Sequence, residues 1–189
     1  DLKKADYEVD KIKKKKRRRY SRPPFTTSTL QQTASYTLGF SSKQTMVLAQ
    51  QLYEEGLITY HRTDAVNLSK QAIAMSRGFI KDKYGSKYLP KKARVFKGKS
   101  KNAQEAHEAI RVTDIKLTKD QVPSQGAKLG SRHAKLYDLI WRRFVASQMT
   151  PAVYDQTRVL IKAVNQENSD QEYQLKTNGS VMKFDGWRK

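Results

Sequence analysis

The chain has 189 residues, enough for one or two small domains, and is 37% hydrophobic and 30% charged. Its formal net charge of +20 implies a polyanionic partner, nucleic acid first and an acidic membrane surface second. The absence of cysteine excludes disulfides and thiolate zinc sites and fits a cytoplasmic protein; no apolar run nears the length of a membrane span, and the opening Asp-Leu-Lys-Lys lacks a signal-peptide core. Because it starts on Asp1 and ends on Lys189 without an obvious stop, the chain reads as a piece of a larger protein.

Tyr7, Val9 and Ile12 alternate weakly before a run of cations, Lys13–Lys16 and Arg17–Arg19. Like-charge repulsion favours a solvated strand or tail, and phosphate contacts are the functional alternative. Arg22-Pro23-Pro24 breaks regular structure. Thr27 or Ser28 then caps a helix whose first turn holds Gln31, with Leu30, Ala34 and Leu38 on its apolar face and Gly39 at its end. A second helix is expected over Ser42–Glu55, with Met46, Val47, Ala49, Leu52 and Tyr53 at helical spacing. Gly56 stops it, and Leu57-Ile58-Thr59-Tyr60 reads as a short strand. Two helices, a tight turn and a strand suggest a helix-turn-helix or winged-helix unit, although a generic helical pair has the same pattern.

Tyr60 thus stands where a strand gives way to the polar loop His61-Arg62-Thr63-Asp64. A phenol becomes a nucleophile when a cation, metal or base eases its ionisation, and Arg62 offers a permanent charge two residues on. Most of the ten tyrosines will be half-buried packing residues, and spacing alone does not single out Tyr60. A third helix, capped by Asn67 or Ser69, spans about Lys70–Tyr84, with Ala72, Ile73, Met75, Ser76, Phe79 and Ile80 along one side. A basic loop, Lys91–Lys101, precedes the cluster Gln104, Glu105, His107, Glu108 and Arg111. On a helix His107 and Arg111 would share a face, as would Gln104 and Glu108, and an ion-paired surface is the plain reading. With one histidine the cluster does not make the familiar zinc pattern. A loop over Gln121–Ser131 leads to a long helix at about His133–Gln148, with Leu136, Tyr137, Leu139, Ile140, Phe144 and Val145 inward, Trp141 beside them, and Arg142 and Arg143 solvated. From Tyr154 the period falls to two. Tyr154–Ala163 and Tyr173–Thr177 read as strands around a polar turn at Gln166–Asp170, and Asn178-Gly179 reads as a hairpin turn into Val181–Phe184. The first strand of the chain can join this sheet and make that domain discontinuous.

The expected fold class is therefore α+β, with a mainly helical, winged-helix-like domain over residues 21–149 and a β-rich domain from residues 1–20 and 150–189. Gly56–Asp64, with Asn67-Leu68-Ser69 behind it, resembles the active-site motif of type IA DNA topoisomerases, G-x-I-T-Y-x-R-T-D-S. Pro23–Gln32 resembles the family's lead-in to its tyrosine domain, and Gln104–Arg111 its second active-site block. The departures are His61 for a usual methionine, Ala65 for a usual serine, and Val112 where proline commonly follows the arginine.

The resemblance implies that Tyr60 attacks a single-strand DNA phosphodiester to give a 5′-phosphotyrosine, with Arg62 stabilising the transition state. It implies DNA contacts for His107, Arg111, Gln31 and Thr29, and supporting roles for Asp64, Glu105 and Glu108, with Arg111 also helping to hold the geometry. His61 receives no role. The two domains would be the tyrosine domain and part of the β-rich arch. The family's acidic Mg2+-binding domain has no counterpart in these residues: no D-x-D set is present, so this stretch alone is expected to bind no metal and to be inactive in relaxation. Its partners would be single-stranded DNA and the remainder of the parent polypeptide, in a cytoplasmic, nucleoid-associated setting. The rival from another class is a non-enzymatic winged-helix module that binds nucleic acid.

Overall fold

The computed structural model describes residues 2–96, 108–165 and 172–189. The chain falls into two units, Ser21–Thr150 and Asp1–Tyr20 with Pro151–Lys189. One is helical and the other is a sheet, so the fold class is α+β.

In the helical unit, α1 is Thr27–Leu38, α2 Ser42–Glu54, α3 Lys70–Tyr84 and α4 Ser131–Ser147. The α1 cap is Thr26, not Thr27 or Ser28: the Thr29 amide donates to Thr26 Oγ1, and Thr26 N donates to Thr29 Oγ1 at 2.9 Å. Four hydroxyl residues in a row each make a plausible cap, and the burial of Leu30 and Ala34 sets the register. Gly39 ends α1 with φ 69°, Ser41 caps α2 and Ser69 caps α3. The buried stripe of α2 is Thr45, Leu48, Ala49 and Leu52, at i, i+3, i+4 and i+7. The expected inward positions Val47 and Tyr53 lie outside that stripe and are exposed.

These stripes meet Leu136, Tyr137, Ile140 and Phe144 of α4 in the core. Phe25, Ile58, Ile110 and Val112 complete it from three extended segments joined by the single bridges Phe25–Ile110 and Ile58–Val112. Leu57–Tyr60 is therefore not a strand; it makes one bridge, to a segment more than fifty residues downstream. The expected loop over Gln121–Ser131 begins as a short 3-10 helix, Lys119–Gln125. Tyr137 Oη donates to Asp114 O at 2.9 Å and Trp141 Nε1 to Ile115 O at 2.8 Å, which fastens the intervening chain to α4.

The other unit is an antiparallel sheet of β1 (Ala5–Arg19), β2 (Ala152–Asn165) and β3 (Glu172–Phe184), in that order, so the first strand does join it. β1 carries a bulge at Asp10: Val9 pairs with Ile161, Lys11 with Leu160 and Ile12 with Val159. Val9 and Ile12, three apart, thereby share a face with Tyr7, followed there by Lys14, Lys16 and Arg18, while Lys11, Lys13, Lys15, Arg17 and Arg19 take the other. Asn178-Gly179 is not a hairpin turn. Asn178 pairs with Arg158 and Gly179 with Thr157 inside a continuous β3, and neither has the positive φ that a type I′ turn requires. Arg158 Nε donates to Asn178 Oδ1 at 3.2 Å, so the asparagine serves the ladder. The expected turn at Gln166–Asp170 lies outside the described residues. No helix among the described residues is long and apolar enough to cross a membrane.

Candidate active site

The site begins with the way α2 ends. Gly56, at φ 69°, donates its N–H to Tyr53 O, and Leu57 N donates to Leu52 O, both at 2.9 Å. This paired closure turns the chain back along the last turn of α2. Leu57–Thr59 is then stitched to a distant segment. Thr59 N donates to Arg111 O at 2.8 Å, Thr59 Oγ1 to Ala109 O at 2.8 Å, and Thr113 N to Leu57 O at 3.0 Å.

Beyond Thr59 the chain bends at His61 and Arg62, and burial alternates residue by residue. His61, Thr63 and Ala65 are buried, while Tyr60, Arg62 and Asp64 are exposed. Tyr60 is 48% exposed. The loop is fixed from behind by α1: Thr27 Oγ1 donates to His61 O at 2.8 Å, Thr27 N to Thr63 O at 2.9 Å, and Thr63 N to Thr27 Oγ1 at 2.9 Å. The backbone carrying Tyr60 and Arg62 is thus held on both sides while their side chains reach outward.

Two residues that sequence reasoning left without a role complete this corner. Tyr53 meets Tyr60 edge-on with ring centroids 5.3 Å apart, and the buried His61 meets Tyr60 at 5.3 Å and Tyr53 at 5.8 Å. Neither ring nitrogen of His61 has a hydrogen-bond partner among the described residues. Burial, reinforced by the Arg62 charge and partly countered by Glu54, holds the imidazole below its ordinary pKa, so it is neutral at pH 7. The signal for Tyr53 was present in the sequence: it lies in the last turn of α2, over which a glycine-terminated helix folds its exit.

Arg111 lies in an extended segment rather than on a helix. Its guanidinium grips Glu108 in bidentate fashion, at 2.9 Å and 2.8 Å, and donates to Val112 O at 3.1 Å. Glu108 also accepts from Ser69 N at 2.7 Å, at the start of α3. Burial pushes the Glu108 carboxyl up, but the hydrogen bonds from Arg111 and Ser69 outweigh it and leave the group below its ordinary pKa. Glu108 and Arg111 therefore tie α3 to the segment that anchors Thr59. Thr29 is exposed with its hydroxyl engaged in the α1 cap, and Gln31 is half-buried on the same helix. Glu105 and His107 lie outside the described residues. Arg143, expected to be solvated, is half-buried with its guanidinium 4.0 Å from the Phe25 ring centre. Among the described residues no group of three or more His, Cys, Asp or Glu is gathered as a metal site.

Comparison with known proteins places this geometry in context. All of residues 1–189 match a family described as DNA topoisomerase. The chain is 49% identical over 188 residues to DNA topoisomerase 1 of Pasteurella multocida, covering 100% of this chain and 20% of that protein. It is 51% identical over 186 residues to DNA topoisomerase 1 of Vibrio cholerae, covering 98% and 20%. The structure of full-length topoisomerase I from Thermotoga maritima superposes with a TM-score of 0.79 at 35% identity, covering 96% of this chain and 29% of that one. The chain thus spans about one fifth of the length of these curated relatives.

Proposed function

This chain belongs to the DNA topoisomerase family, and on that premise we propose that it carries the cleavage tyrosine of a type IA enzyme acting on single-stranded DNA. Tyr60 Oη attacks the phosphorus of a DNA phosphodiester. The P–O3′ bond breaks, a 5′-phosphotyrosine forms, and the 3′ oxygen leaves to become a hydroxyl. Attack by that hydroxyl reseals the strand after another has passed. The ester is conserved throughout, so relaxation needs no ATP. Arg62 balances the charge that grows on the phosphate. His107 is the proposed phosphate ligand, Gln31 and Thr29 contact DNA along α1, and Asp64, Glu105, Glu108 and Arg111 keep the loop in place. The helical unit is read as the tyrosine domain, winged-helix-like in its α1–α2 pair, and the sheet as part of an arch. The magnesium implied by the resemblance would be held by residues outside this chain.

The observation that best supports this reading is the loop itself: Tyr60 and Arg62 point outward from a backbone fixed by Thr27 and Thr59. A merely packed tyrosine needs no such support. The test is Tyr60→Phe in the full-length polypeptide, with a labelled single-stranded oligonucleotide and denaturant trapping. The expected result is complete loss of the covalent adduct with DNA affinity kept within about twofold, since one hydroxyl contributes little to binding. An adduct that survives the substitution, or an unsubstituted protein that never forms one, overturns the reading in favour of a binding module.

A further inference from the structure

A cleft of about 560 Å³ opens along the outward face of α1. Its floor is the face bearing Thr29, Gln32, Thr33 and Tyr36, at i, i+3, i+4 and i+7, and its cationic walls are Arg22 and Arg143. Four features of this cleft point to a ligand.

The first is charge. Neither guanidinium is paired with a carboxylate among the described residues; Arg143 instead donates to Pro23 O at 3.4 Å and lies over Phe25. The two arginines repel each other, and burial together with Arg22 brings Arg143 down to about 10. Like charges held together at a half-buried site, with no anion from the protein, suit a phosphate.

The second is Tyr36, which is 91% exposed and stands on the cleft rim two turns from Thr29. A large aromatic ring so placed packs against nothing of its own unit, yet it offers a full face for stacking. The third is the polar lining. The Thr33 and Thr37 hydroxyls donate back to the Thr29 and Thr33 carbonyls, at 2.8 and 2.7 Å, so their lone pairs remain free to accept from base amino groups. The fourth is continuity with the site already described. Val66, two residues past Asp64, lines the cleft, and the α1 that forms its floor is the helix whose Thr27 fixes the Tyr60 loop.

We propose that this cleft binds single-stranded nucleic acid, with a phosphate between Arg22 and Arg143 and a base stacked on Tyr36. Resting on the reading of Tyr60 above, the segment it holds flanks the scissile phosphate, and gripping it here keeps the broken strand aligned for resealing.

The experiment uses the full-length polypeptide and Tyr36→Ala, Tyr36→Phe and Arg22→Ala variants, all at exposed positions. Equilibrium binding of a fluorescent single-stranded oligonucleotide is measured across a salt series, and adduct yield at saturating oligonucleotide is measured separately. Tyr36→Ala is expected to weaken binding roughly fivefold to tenfold, while Tyr36→Phe stays within about twofold. Arg22→Ala is expected to weaken binding and reduce the log–log salt slope by about 1. Unchanged affinity and slope in Tyr36→Ala and Arg22→Ala overturn the proposal, as does an acidic polyglutamate peptide that competes as well as the oligonucleotide and shows the same Tyr36 dependence. Loss of binding in these variants sustains the cleft even if the unsubstituted protein forms no adduct, so failure here and failure of the Tyr60 reading show up in different measurements.

Discussion

His61 is the residue most at odds with its surroundings. A neutral imidazole with both nitrogens unpaired among the described residues, buried between aromatic rings, forfeits hydrogen bonds that water would supply. Methionine, usual at this position in the family the sequence resembles, would fill the same space without that loss. His61→Met is therefore expected to raise unfolding stability by about 1–3 kcal/mol in urea titrations at pH 7. The histidine also makes stability depend on pH. Its folded pKa lies below the ordinary 6.5, so the unfolded chain binds more protons in the interval between the two values. Stability is complete above about 6.5 and is lost as pH falls through that interval. His133, also lowered by burial, acts in the same direction, with Nδ1 accepting from Gly130 N and Nε2 facing Gln51 Oε1 at 2.7 Å. Melting curves between pH 7 and 5 are expected to show a shallower decline in His61→Met but not a flat one. Equal slopes in the two proteins would show that His61 does not titrate on unfolding. The sequence marked His61 only as a departure; its burial depends on Tyr53 and α1, which no local pattern contains.

At the scale of elements, the helices were legible because each carries its own instructions. Ser69 and Gly85 bracket α3, and Gly39 closes α1. What could not be read locally was the segment from Leu57 to Thr59, whose hydrogen bonds all go to residues 109–113 or back to α2. A β-prone run looks like a strand until its partner is known, and here the partner supplies a single bridge. Asn178-Gly179 misled for the converse reason: a turn-forming pair was absorbed by the cross-strand ladder. The joint at Gly56 links element to site. Its φ is 69° and a Cβ there would meet nothing within 4 Å, so alanine has room but is forced into a left-handed backbone. Gly56→Ala is expected to cost about 1 kcal/mol by thermal melting. It should lower the rate of covalent adduct formation by roughly tenfold or more, because Tyr60 is aimed by this turn. An adduct rate that falls no further than the stability loss explains would separate the turn from the chemistry.

For the whole molecule, the change of period from Tyr154 onward announced two architectures, and the alternation in residues 1–20 allowed the first strand to join the last two. The lateral order was not legible, because it depends on pairings across some 150 residues. The described residues assemble no divalent-ion site, and the chain spans about a fifth of its curated relatives. The isolated 189 residues are accordingly expected to bind single-stranded oligonucleotide, in a manner steeply weakened by salt, but not to relax supercoiled plasmid with Mg2+. Robust relaxation in a gel assay would place the whole reaction within these residues.

The extra residue at Asp10 governs how the ribbon is painted. Pleating sends neighbours to opposite sides, so removing one position would reverse every later side chain of β1 relative to Tyr7 and Val9. Ile12, Lys14, Lys16 and Arg18 would then leave the face of Tyr7 and Val9, and Lys11, Lys13, Lys15, Arg17 and Arg19 would take their place. One aspartate thus acts as a parity bit, keeping Ile12 in the lane of Tyr7 and Val9.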